Sequence, residues 1–303
     1  MSYLKQVFAE FFRDQCPTLA AALSYYTVFA LPPLLFLLLT VVTGGLSVVY
    51  DSQTAEEKAE GILERQAAQL LGNPDASDEI AAMIERSQHT TGKWWKTLLS
   101  LTGVVVAITG LMGALQISLN RVWGVRPDPD RSPVRMMLRK RAVSFALILG
   151  LGFLLVVSMA VSGVMVFIGD QLEAVVGVDP LPAAAINYGV QSLVAFVVFA
   201  TIFKVLPDAR VNWRDVVVGA GLTTALFLLG RLAIQQYFVF AAPGARFGAA
   251  AASLAVILVW VYYSAMILLL GAEATQVYAH RRGRSLRPRR RAVRVVESLE
   301  RGE

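Results

Sequence analysis

The chain has 303 residues, 56% of them hydrophobic, and a mean hydropathy of +0.57. Charged residues make up only 17%, against roughly 25% in soluble domains, and none falls in residues 15–50, 97–120, 142–169 or 180–203. Stretches of this length exclude an ordinary soluble fold, because about 20 apolar residues in a helix cross a hydrocarbon core of ~30 Å. The formal charge of +6 then reports on membrane topology and not on nucleic acid, for which no binding is expected.

The predicted class is all-α, a polytopic membrane helix bundle of about six transmembrane helices within residues 1–280, followed by a basic tail at 281–303. Continuous apolar runs without dyad alternation decide for helices over a barrel. The chain opens on an amphipathic piece carrying Lys5, Glu10, Arg13 and Asp14, which does not read as a cleavable signal peptide. The lone cysteine, Cys16, reads as a small apolar residue near a helix start.

Helix 1 is expected over 18–43. It contains Tyr25 and Tyr26, then Pro32 and Pro33, and two consecutive prolines remove two backbone donors. A kink or break is expected there, either as a structural bend or as part of a transport path. Residues 44–96 form a long connection with nine acids against five Lys or Arg. Within it, 54–71 reads as an amphipathic helix with Ala59, Ile62, Leu63 and Leu70 on one face, and 77–88 as a second short helix. The plain reading is a helical cap on the outer side, and a gate is the alternative. Trp94 and Trp95 mark the interface where helix 2, 97–119, enters. Gln116 and Asn120, one turn apart at its inner end, are expected to hydrogen-bond to a neighbouring helix.

Helices 3 to 6 are expected at 142–169, 183–205, 215–240 and 247–279. Arg231 lies about 25 Å along helix 5 from Arg214, with Gln235 one turn on, and a buried arginine at that depth needs a partner. Candidates are Asp170, Glu173, helix carbonyls or an anionic lipid or solute. Glu273 in helix 6 lies about 12 Å from the end of its helix, and Lys204 is its best-levelled partner. The candidate transport path or polar network is thus Tyr25, Tyr26, Pro32, Pro33, Gln116, Asn120, Lys204, Arg231, Gln235 and Glu273.

Orientation follows from the basic residues in the connections. Seven Lys or Arg follow helix 2, three follow helix 4 and nine lie in the tail, whereas the connection after helix 3 has none. The basic connections face the cytoplasm, so both termini are expected there. No His/Cys/Asp cluster has metal spacing, no phosphate loop and no GxSxG are present, and no enzyme activity, cofactor or metal is expected.

At AAALSYYTVFALPPLL (Ala20 to Leu35), at NRVWGV (Asn120 to Val125) and at FGAAAASLAVILVWVYYSAMILLLGAEATQVYA (Phe247 to Ala279) the sequence resembles the YihY, or virulence factor BrkB, family, formerly labelled ribonuclease BN. The resemblance implies a bacterial inner-membrane protein with six helices and no agreed substrate. Two functions are weighed. One is a transporter or permease for a lipid or solute, with Arg231 binding an anion and Glu273 with Lys204 forming an inner gate or proton site. The other is a non-transporting scaffold or envelope-assembly factor, whose intramembrane polar residues only hold the bundle together. An intramembrane enzyme ranks third, since no nucleophile–base pair is visible.

Overall fold

A computed structural model describes residues 2–47, 50–51, 53–55, 57–61, 94–129, 181–241, 249–284, 287–289 and 292–295. The expected helix 3, the second short helix at 77–88, and Asp170 and Glu173 lie outside them. The described chain runs α1 (Tyr3–Arg13), α2 (Cys16–Leu46), α3 (Trp94–Val122), β1 (Val125–Pro127), α4 (Leu181–Val205), β2 (Ala209–Arg210), α5 (Trp213–Ala241), α6 (Ala249–Arg281), β3 (Arg287–Pro288) and β4 (Ala292–Arg294). The apolar runs among the described residues are thus helical. Among the described residues three stretches are long and apolar enough to cross a membrane: Tyr188–Val205, Trp213–Ile234 and Ile257–Arg281, with a shorter apolar stretch at Cys16–Leu31.

The amphipathic opening folds as α1. Ser2 caps it, its hydroxyl accepting from the Lys5 amide, and Arg13 sits in the last turn, where a cation complements the carbonyl end. Gln15, in the left-handed region at φ 56°, turns the chain so that α2 can start at Cys16 with Pro17 in its first turn. α2 then runs without interruption through Pro32 and Pro33. The expected break is therefore absent. A proline's fixed φ of about −65° is itself helical, so each proline deletes one ladder bond without forcing the chain out of the helix.

Packing runs α4 against α5, α5 against α6, α6 against α2 and α2 against α3, with α1 laid on α6. Apolar side chains gain little from leaving lipid, so close approach through small residues supplies the packing. Gly219 of α5 and Gly271 of α6 face each other. A Cβ on Gly219 would strike Thr275 and the Gly271 carbonyl, and one on Gly271 would strike Thr223. The threonines flanking this seam return their hydroxyls to their own helices, Thr223 to Gly219 O at 2.9 Å and Thr275 to Gly271 O at 2.9 Å. Further along, the Tyr263 ring lies against Gly230 and donates to Leu226 O at 2.7 Å. Of the predicted cap, residues 53–55 and 57–61 are helical. Ala59 is buried in a cluster with Leu39, Val42, Ile257 and Trp260.

The other end of the bundle holds the larger core and most of the described basic residues, and is called here the basic end. Phe11, Cys16, Leu119, Trp123, Phe203 and Leu269 are buried together there. Part of the basic tail is folded onto it. β4 pairs antiparallel with β1 and β3 with β2, so the segment after α6 ties the ends of α3 and α4.

Candidate functional site

At the basic end, the last turn of α3 and the connection from α4 to α5 are joined by an amide network. Asn120 Nδ2 donates to Asp208 Oδ2 at 2.9 Å and its Oδ1 accepts from the Asp208 amide at 2.8 Å. Gln116 Nε2 donates to Leu206 O at 3.1 Å and to Asp208 Oδ2 at 3.3 Å. The expected hydrogen bonding of Gln116 and Asn120 is therefore present, but their partner is a connection and not a helix flank. The NRVWGV segment serves the same junction. Trp123 is buried, donates through Nε1 to Ala272 O at 3.2 Å, and meets Phe203 edge-on. Gly124, at φ 59°, turns the chain into β1.

Glu273 is fully buried, one residue beyond the Ala272 carbonyl that receives Trp123. Lys204 is not its partner. The Lys204 ammonium bonds to Val211 O at 2.5 Å and lies over the Trp213 ring, 5.2 Å from its centroid. The reason is rotational: Phe203 is the α4 residue that points at Gly271 of α6, so its neighbour Lys204 is turned about 100° away. Glu273 is met from the α1–α2 turn instead. Cys16 Sγ donates to Glu273 Oε1 at 3.6 Å, and the Asp14 carboxyl lies close beside the Glu273 side chain. Among the described residues no N–H or hydroxyl reaches Glu273 Oε2, and no Lys, Arg or His forms an ion pair with it. Two carboxyls brought together in this way repel one another when both are charged. Burial raises the Asp14 carboxyl above the usual range, against the lowering effect of its contact with Glu273.

Asp14 opens onto a cleft of about 370 Å³ between α1, the end of α3 and the end of α6, lined also by Glu10, Arg13, Arg121, Gln276, His280 and Arg294. It brings solvent at the basic end as far as Asp14, while Glu273 lies behind it, outside the lining. Arg121 Nη2 reaches across to Gln15 Oε1 at 3.2 Å, holding the α1–α2 turn against α3. Tyr3 donates to Ala274 O at 2.8 Å from the far end of α1.

Arg231 stands apart from this cluster. Its Nη1 donates to Gln191 Oε1 on α4 at 2.6 Å, and among the described residues no carboxylate pairs with it. Gln235 lies one turn on along α5, in the helix backbone. Tyr25 and Tyr26 are 59% and 44% exposed, with the Tyr25 ring tilted against Phe29 at 4.7 Å between centroids and Tyr26 beside Gly110, so Tyr25 faces outward from α2. Sequence reasoning missed Asp14, Cys16 as a donor, Gln191 and Asp208. The available signal was an acid and a thiol two residues apart just before the Pro17 that starts α2. An ion pair was also missed, buried Asp215 with partly exposed Arg284 at 2.9 Å; Asp215 sits in the first turn of α5, where the helix dipole favours an anion.

Apolar helices long enough to span a bilayer, with one buried acid and a partly exposed one beside it at one end, define a membrane-embedded helical protein. The sequence profile of the family described as Virulence factor BrkB matches residues 7–295, and the chain belongs to that family. Similar proteins include a UPF0761 membrane protein of Pseudomonas aeruginosa (strain UCBPP-PA14), 29% identical over 266 residues that cover 86% of this chain and 59% of the relative. A UPF0761 membrane protein of Alkalilimnicola ehrlichii is 29% identical over 97% of this chain and 63% of its own length. The chain thus spans about three-fifths of these relatives. The "Putative ribonuclease-like protein YfkH" of Bacillus subtilis (strain 168) is 25% identical over 90% of this chain and 94% of its own. No solved structure matches.

Proposed function

We propose that the protein is a non-catalytic permease of the bacterial inner membrane, moving a lipid or anionic solute, with six spans, an outer helical cap and both termini in the cytoplasm. In this reading the basic end faces the cytoplasm, as its cations require. The observation that carries it is the fully buried Glu273 carboxyl, linked through Asp14 to an open cleft. A buried acid without a cation is costly to keep in a membrane protein and marks a proton or ion path. The Asp14–Glu273 pair is the inner proton site, in place of the expected Glu273–Lys204 pair. Arg231, bonded to a neutral amide, offers its charge to the anionic group of the cargo. No nucleic acid, cofactor or metal takes part.

The test is a deletion strain followed for growth and envelope lipid composition, complemented at matched membrane levels. Wild type is expected to restore the defect, and Glu273→Gln and Arg231→Ala are expected to fail. Full restoration by a folded Glu273→Gln protein would remove the proton role. A scaffold or envelope-assembly role is the second reading. It is favoured by the tail strands that fasten α3 and α4, and restoration by both variants would select it.

A further inference from the structure

α1 presents three different faces. Tyr3, Val7 and Phe11 pack inward, Val7 with Ala274 and Val277 of α6 and Phe11 in the larger core. Gln6, Glu10 and Arg13 line the cleft. On the other flank of the buried face, Leu4, Phe8 and Phe12 are 58%, 49% and 65% exposed. They recur every fourth residue, so they form one stripe along the helix. Lys5 and Ala9, also exposed, lie beyond that stripe. A leucine and two phenylalanines in a row on an eleven-residue helix make a surface that water does not favour.

We infer that α1 is an interfacial helix, seated with Leu4, Phe8 and Phe12 in the headgroup–acyl boundary of a leaflet bearing anionic lipid. The chain itself argues for lipid over a protein partner. α2 begins at Cys16, immediately past the Asp14–Gln15 turn, so α1 is tied at its end to an apolar helix that carries exposed aromatics of its own, Tyr25, Tyr26 and Phe29. Trp213 at the start of α5 is 56% exposed at the same end, where an amphipathic ring belongs at headgroup level. The charge fits the anionic surface. Exposed Lys5 borders the stripe, and exposed Arg281 holds the opposite flank of α1, bonding Gln6 Oε1 at 3.0 Å and covering the Tyr3 ring. Basic residues flanking an apolar helical face are the pattern of a membrane-surface helix. The seat also has a consequence inside the molecule, because the last turn of α1 delivers Asp14 to Glu273. The inference itself does not depend on the permease reading.

The test uses the full chain reconstituted in vesicles of phosphatidylglycerol and phosphatidylethanolamine. Leu4→Cys, Phe8→Cys, Phe12→Cys and Ala9→Cys proteins are each labelled with a nitroxide; buried Cys16 is controlled by the unsubstituted protein. Power saturation with oxygen and with a water-soluble nickel chelate reads depth. Positions 4, 8 and 12 are expected to be reached by oxygen and shielded from nickel, at about 5–10 Å into the boundary, with position 9 reached by nickel. Nickel access at 8 and 12 equal to that at 9 would overturn the inference. So would immobilised labels shielded from both reagents, which would place a protein or a second copy on the stripe. A depth unchanged on phosphatidylcholine alone would overturn the preference for anionic lipid.

Discussion

At Asp14 the chain keeps a carboxyl in a place that disfavours its charge. Burial raises its pKa in the folded protein, so the folded state binds a proton more tightly than the unfolded chain does. By linkage, the stability tied to that proton is fully present below the unfolded value, about 3.9, and is lost as pH rises through the folded one. Asp14→Asn removes this liability while keeping an N–H that can donate to Glu273. Thermal unfolding in detergent is therefore expected to show a higher Tm than wild type at pH 7 to 8, with the two converging below pH of about 4. An Asn variant less stable at pH 8 than wild type would mean that the ionised carboxylate is stabilising. Glu273 itself stands out in the sequence as an acid inside an apolar run. Its partner does not, since Asp14 belongs to a helix more than 250 positions away and only the Gln15 turn points it inward.

The α5–α6 pair is set at the scale of the element by glycine. An Ala in place of Gly would ordinarily stabilise a helix interior by about 1 kcal/mol. At Gly219 the new methyl meets the Gly271 carbonyl and Thr275, and backbone cannot yield as a side-chain tip can. Overpacking of this kind costs roughly 1–3 kcal/mol, so the clash wins. Gly219→Ala is expected to lower Tm, while Gly221→Ala, where nothing lies within 4 Å, should leave it unchanged or slightly raised. Equal effects at the two positions would show that propensity and not the helix crossing governs this seam. Which glycines of the two helices face each other is not written in the sequence, because the facing position depends on how the helices are rotated.

For the whole molecule, the basic tail acts as a strap. The Arg289 amide donates to Asp208 O and the Val295 amide to Gly124 O, at 2.8 and 2.9 Å, while the Arg289 guanidinium reaches the last carbonyls of α4 at Lys204 and Val205. Removing residues 285–303 should leave the spans in place and loosen the junction they share. Amide exchange at Val125 and Arg126 and at 209–211 is expected to quicken roughly ten- to hundredfold, from the loss of a few hydrogen bonds at about 1 kcal/mol each. Exchange there unchanged by the truncation would show that the amides of Gln116 and Asn120 hold the junction alone.

Hydropathy and charge alone determined that this chain is a helical membrane protein, because the backbone in lipid has few ways to satisfy itself and long apolar runs are written one after another. The same local patterns located α4, α5 and α6 to within a few residues and marked Arg231 and Glu273 as polar exceptions. Partnership was decided only by tertiary structure. Lys204 faces Trp213 because Phe203 takes the inward position, Glu273 meets Asp14 because α1 folds back onto α6, and the prolines of α2 leave the helix continuous. Each of these depends on helix rotation and depth, and no one-dimensional pattern records those.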